Sequence, residues 1–119
     1  MASEMSEGER EVSVELSDCA CEDAEAVFGM LSGLFPSDWS EQRPEGREAN
    51  VWLSRFDVSG AGGRPADVTL GSRVTAELQG SPQAVDKLHG VLTEAFGVTE
   101  VMEVAGDQER QLRLRLETR

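Results

Sequence analysis

The chain is short of the residues that most chemistry requires. Its 119 residues include one histidine, His89, and two cysteines, with no tyrosine or isoleucine; Lys87 is the single lysine and Asn50 the single asparagine. Two cysteines allow at most one bridge, so the fold does not rest on a disulfide framework. No serine or cysteine has an identifiable histidine–acid partnership, and a nucleophile without a base is weak. No stretch comes near the roughly 20 apolar residues that span a bilayer. Residues 1–10 are polar and acidic, the reverse of a signal peptide's basic-then-apolar pattern. These gaps predict a cytoplasmic protein with no catalytic site, no cofactor and no membrane association. The missing residue types are largely those of AT-rich codons, which suggests a GC-rich bacterial coding sequence.

Positive charge is scarce too. There are 11 Lys and Arg against 23 Asp and Glu, a formal net charge of -12. Residues 1–50 carry 13 acidic and 3 basic side chains, whereas residues 51–119 carry 10 and 8. So acidic a surface argues against unaided binding to nucleic acid or anionic lipid, where affinity comes largely from Lys and Arg neutralising phosphates. Two uses of the charge remain: solubility, or a docking face for a basic partner.

What is present fits one domain. At 39% hydrophobic residues, the chain has enough apolar surface for a single core. Residues 1–9 show no apolar periodicity and are read as a disordered acidic tail, leaving 10–119 as the domain. Val12, Val14 and Leu16 alternate with Glu11, Ser13, Glu15 and Ser17 as in a half-buried strand. Ala24, Val27, Phe28, Leu31, Leu34 and Phe35 then recur at helical spacing up to Pro36, with Glu22, Asp23 and Glu25 in the first turn. After a polar loop at 36–49, residues 51–58 form a second strand with bulky apolar residues on both faces: Trp52, Phe56 and Val58 on one, Val51 and Leu53 on the other. Val74, Ala76 and Leu78 mark the third strand.

The second helix has the clearest signals: Ser81 at the N-cap, Pro82 at the first helical position, and Gly97 as the expected left-handed C-terminal residue. Residues 98–104 and the alternating Leu112, Leu114 and Leu116 supply two more strands. The order β-α-β-β-α-β-β implies an α+β fold, a ferredoxin-like βαββαβ sandwich with an additional C-terminal strand. The expected sheet order is 5-4-1-3-2, with two helices on one face. An internal echo, "VSVELSD" against "VTAELQGS", supports two related halves. The last strand, "RQLRLRLETR", would then be an edge whose arginines discourage edge-to-edge pairing or mate with acids of another copy.

The motif "DCACED" at residues 18–23 poses the question of metal or redox chemistry. A closed zinc site needs four ligands, and His89 is expected about 10 Å away along an antiparallel helix. The surrounding acids oppose thiolate formation. The motif is therefore read as a strand-to-helix turn, with Ser17 or Asp18 as the cap. The "GAGG" at 60–63 lacks the Lys-Ser/Thr of a phosphate loop and does not open a helix, so it reads as a hairpin connection.

The aromatic and edge features carry the binding expectation. Trp39 lies in an acidic, proline-containing loop, either covering the core or contacting a partner. Val51, Leu53 and Val101 are expected on the sheet face away from the helices, where a homodimer or the 36–49 loop would cover them. The favoured reading is a binding or regulatory module acting through contacts with another protein or itself, with Trp39, Val51, Trp52, Leu53, Phe56 and Val101 as candidate contacts. One alternative is a sensor of an apolar metabolite or amino acid, using Trp52 and Phe56. Another is a cofactor-independent small dimeric enzyme, for which His89 is the acid–base candidate.

Overall fold

A computed structural model describes residues 11–36, 51–58, 68–106 and 109–118. The expected N-terminal tail, Trp39, the loop around it and the "GAGG" connection lie outside the described residues. The elements follow the predicted order: β1 (Glu11–Ser17), α1 (Cys21–Leu34), β2 (Val51–Asp57), β3 (Val74–Gly80), α2 (Pro82–Ala95), β4 (Gly97–Ala105) and β5 (Arg110–Glu117). They form an α+β fold in which the five strands make one antiparallel sheet.

Register shows why alternation in the sequence produces a two-layer structure. Leu16 lies opposite Trp52 on β2 and Ala76 on β3, and Ala76 lies opposite Leu114 on β5. Residues in one such row share a face, so Val12, Val14, Leu16, Val74, Ala76, Leu78, Leu112, Leu114 and Leu116 all point the same way. Each is buried, in one continuous core with Val27, Phe28 and Leu31 of α1 and Val85, Leu88 and Leu92 of α2. Both helices therefore cover one face. The Phe28 and Phe56 rings meet at 5.7 Å between centroids, tilted, and join α1 to β2. The other face of the three central strands is polar, as expected for an antiparallel sheet with one solvated side.

The strand order is β2-β1-β3-β5-β4, not 5-4-1-3-2. β1 does lie beside β3, but its other neighbour is β2, and β5 sits between β3 and β4. The physical reason is in the side chains. β5 brings three fully buried leucines to the helix-covered face, which suits a central strand. β4 points Glu100 and Glu103 toward that face, opposite Leu114 and Leu112, which suits an edge that water can reach. A bulge between Glu100 and Met102 further marks β4 as an edge. The arginines of β5 consequently do not guard an edge.

Two helix-end expectations also change. The N-cap of α1 is Ala20, with no side-chain cap hydrogen bond, rather than Ser17 or Asp18. Asp18 instead adopts the left-handed conformation, φ 54°, at the turn out of β1, a position an aspartate tolerates. At α2, Ser81 is the N-cap and its side chain accepts from the Ala84 N–H, as expected. The C-cap is Phe96 in extended conformation, and β4 begins at Gly97 without a left-handed residue. Buried Phe96, its N–H bonded back to Leu92 O, anchors that direct passage from helix to strand.

Candidate functional site

Large exposed hydrophobic side chains among the described residues gather on the two edge strands. Val51 and Leu53 on β2 are 49% and 64% exposed, and Val101 on β4 is 48% exposed, with Met102 and Val104 beside it. Trp52 and Phe56 face the other way. They belong to the helix-covered core, Trp52 at 8% exposure and Phe56 fully buried. The structure thus separates the candidate contacts into an exposed set and a core set. It also adds Met102 and Val104, which sequence reasoning missed. The irregularity between Glu100 and Met102 shifts the phase of alternation in β4, so a strict period of two counted from Val101 does not bring Met102 and Val104 to the same face.

Between the two apolar edges the outer face is charged and hydrogen-bonded. Leu53 lies in a row with Glu15, Glu77, Arg113 and Met102, running from β2 to β4. Glu77 holds the row together: its Oε1 accepts from Arg113 Nη2 at 3.0 Å and its Oε2 accepts from Gln111 Nε2. Four strand spacings of about 4.8 Å separate the apolar edges, so they lie about 19 Å apart.

On the opposite side of the sheet, Arg110 fastens the β4–β5 hairpin to α2. Its guanidinium donates to Glu103 Oε2 at 2.8 Å and to Asp86 Oδ1. Partial burial works against its charge, but the two carboxylates outweigh that and hold its pKa above the ordinary value. His89, the acid–base candidate, lies on α2 with Nε2 3.7 Å from Glu100 Oε2 of β4.

Compared with protein-family models, curated proteins and solved structures, the chain matches none.

The cysteine motif forms the turn into α1. Cys19 and Cys21 are not joined in a disulfide, and both are half-buried. Cys21 Sγ donates to Glu25 Oε2 at 3.5 Å, one turn along the helix. Burial, followed by the charges of Asp23, Asp18 and Cys21, pushes the Cys19 thiol up from 9.0 to about 11. Among the described residues no three histidine, cysteine or acidic side chains gather as metal ligands do.

Asp23 has a role that helix-dipole reasoning alone did not give it. It is only 6% exposed. Its Oδ1 accepts from Gly71 N at 2.9 Å, and its Oδ2 accepts from Ser72 N at 3.1 Å and Ser72 Oγ at 3.3 Å. The same segment is gripped from the other side by Thr118, whose hydroxyl accepts from Leu70 N at 2.8 Å and donates to Leu70 O at 3.2 Å. A carboxylate in the first turn of α1 thus anchors the approach to β3.

Proposed function

We propose that this chain is a non-catalytic binding or regulatory module that acts through protein–protein contacts. The observation supporting it is the placement of Val51, Leu53, Val101, Met102 and Val104 on the two edge strands, exposed on a strongly acidic chain. Exposed apolar side chains gathered at strand edges are a liability unless a partner covers them. The acidic composition and the codon-linked residue bias favour a bacterial cytoplasm as its setting. No helix among the described residues is long and apolar enough to cross a membrane. The sensor reading has less support, because Trp52 and Phe56 are committed to the core.

The test is quantitative binding with a surface variant. Proteins captured from the native host by the parent chain are purified and titrated against both the parent and a Leu53→Lys/Val104→Lys variant. The proposal expects at least one partner whose affinity falls about tenfold or more, roughly 1.4 kcal/mol, in the variant. Partners that bind both proteins equally, or none that bind the parent, would refute it.

A further inference from the structure

The outer sheet face has a pattern that few partners match. It carries two apolar rails, Leu53 on β2 and Met102 with Val104 on β4, about 19 Å apart across four strand spacings. Between them the charge is sorted by side. Glu15 on β1 lies next to the β2 rail, and Arg113 and Arg115 on β5 lie next to the β4 rail. The four rows running from Val51, Leu53, Arg55 and Asp57 contain Glu11, Glu15, Asp57 and Glu77 against Arg55, Arg113 and Arg115, a balance of -1. On a chain of net charge -12, this face is spared the acid excess that would oppose self-association.

We propose that this face binds a second copy of the same chain, related by a two-fold axis running parallel to the strands along β3. Rotation about that axis turns the sheet over and exchanges its edges. β2 then lies over β4 of the other copy, β1 over β5, and β3 over itself. Leu53 meets the partner's Met102, and Glu15 meets the partner's Arg113, each contact occurring twice as an isologous interface requires. Glu77 falls near the axis and faces the partner's Glu77; within its own sheet its charge is offset by Arg113 at 3.0 Å, and Gln111 donates to its other oxygen.

A two-fold axis running across the strands is disfavoured by the same charges. It lays β1 on β1 and β5 on β5, so no Glu15–Arg113 contact forms, and with the axis on that row acids oppose acids and arginines oppose arginines. Electrostatic complementarity of this kind selects register and orientation more than raw affinity. The footprint is about 24 Å across five strands by about 23 Å along seven residues, giving about 550 Å² per copy and about 1,100 Å² for the pair. That is the size of a weak, reversible dimer, with the sheets stacked in the aligned manner of β-sandwiches.

This inference rests on the protein-binding reading and specifies one partner, but its test uses the purified chain alone. Sedimentation velocity over about 10 to 500 µM at low salt expects a concentration-dependent dimer with Kd in the tens to hundreds of micromolar range. Glu15→Arg should weaken it about tenfold or more, because the introduced guanidinium would face the partner's Arg113. Adding Arg113→Glu to that variant should restore dimerisation to within about threefold of the parent, a rescue that a merely structural role would not give. Far-UV circular dichroism and melting confirm that each variant is folded. A monomer at every concentration, a dimer indifferent to Glu15→Arg, or failure of the double swap to rescue would overturn the proposal. If a captured partner still depends on Leu53 and Val104 while the chain stays monomeric, the dimer falls and the binding-module reading stands.

Discussion

Replacing Asp23 with alanine removes the acceptor of three hydrogen bonds and leaves the amides of Gly71 and Ser72 facing an apolar methyl. A hydrogen bond to a charged group contributes about 1.5–3 kcal/mol. Gly71 and Ser72 are themselves exposed, so water re-solvates them and the low end of that range applies to each amide. The hydroxyl contact, at 3.3 Å, adds less. Loss of the first-turn carboxylate also gives up about 0.5 kcal/mol of helix-dipole interaction. The net destabilisation worked from these contacts is about 4 kcal/mol, or about 16 °C in Tm for a chain of this size. Urea unfolding at pH 7 measures the free energy through the shift in midpoint at constant slope. Native-state hydrogen exchange locates it, because the Gly71 and Ser72 amides should lose protection before the central strands do. An Asp23→Ala variant within about 0.5 kcal/mol of the parent, or one whose Gly71 and Ser72 amides keep their protection, would refute the reasoning.

Two further predictions use the turn and the glycines. Because the folded state holds the Cys19 thiol at about 11 instead of 9.0, the native protein retains a proton there that the unfolded chain has lost, so this group's contribution to stability is complete below pH 9 and declines as pH rises toward 11. A Cys19→Ala variant should show a flatter loss of stability than the parent over that window; identical profiles would remove the assignment. The glycines Gly80 and Gly29 should respond oppositely to alanine. At Gly80 an added Cβ would come within 2.7 Å of Glu11 O, a backbone atom of the neighbouring strand, so Gly80→Ala should cost about 1–3 kcal/mol. At Gly29, in the middle of α1 with nothing within 4 Å, Gly29→Ala should stabilise by about 0.5–1 kcal/mol. Thermal melts of the two variants check both signs.

The element order was legible because local signals were strong. Val12, Val14 and Leu16 alternate without exception, Ser81 and Pro82 start α2 where the structure starts it, and the leucines of β5 alternate through Leu116. Strand order was harder to read, because alternation identifies the buried face of a strand and is silent about its neighbour. A finer cue was present: Glu100 and Glu103 on the core side of β4 disqualify it from the centre, whereas β5 carries three leucines there. Weighing charge on the inward face against charge on the outward face would have moved β5 inside. Of the candidate contacts, Val51, Leu53 and Val101 are exposed and Trp52 is not; in β2 this follows from the opposite parity of Trp52 and its two neighbours. Asp23 was readable only as a dipole partner, since the amides it accepts from lie 48 and 49 residues away and no local pattern links them.

The insertion of β5 between β3 and β4 has a consequence for the time course of folding. During synthesis β4 emerges before the strand that is its sole neighbour in the sheet, while β3 waits with one side unfilled. Until β5 docks, the outward edge of β3 and both edges of β4 stand open to any other extended chain. Glu100 and Glu103 therefore guard a nascent state as well as a finished edge: two negative charges on a segment containing Val98, Val101, Met102 and Val104 keep that waiting strand from pairing with its own kind.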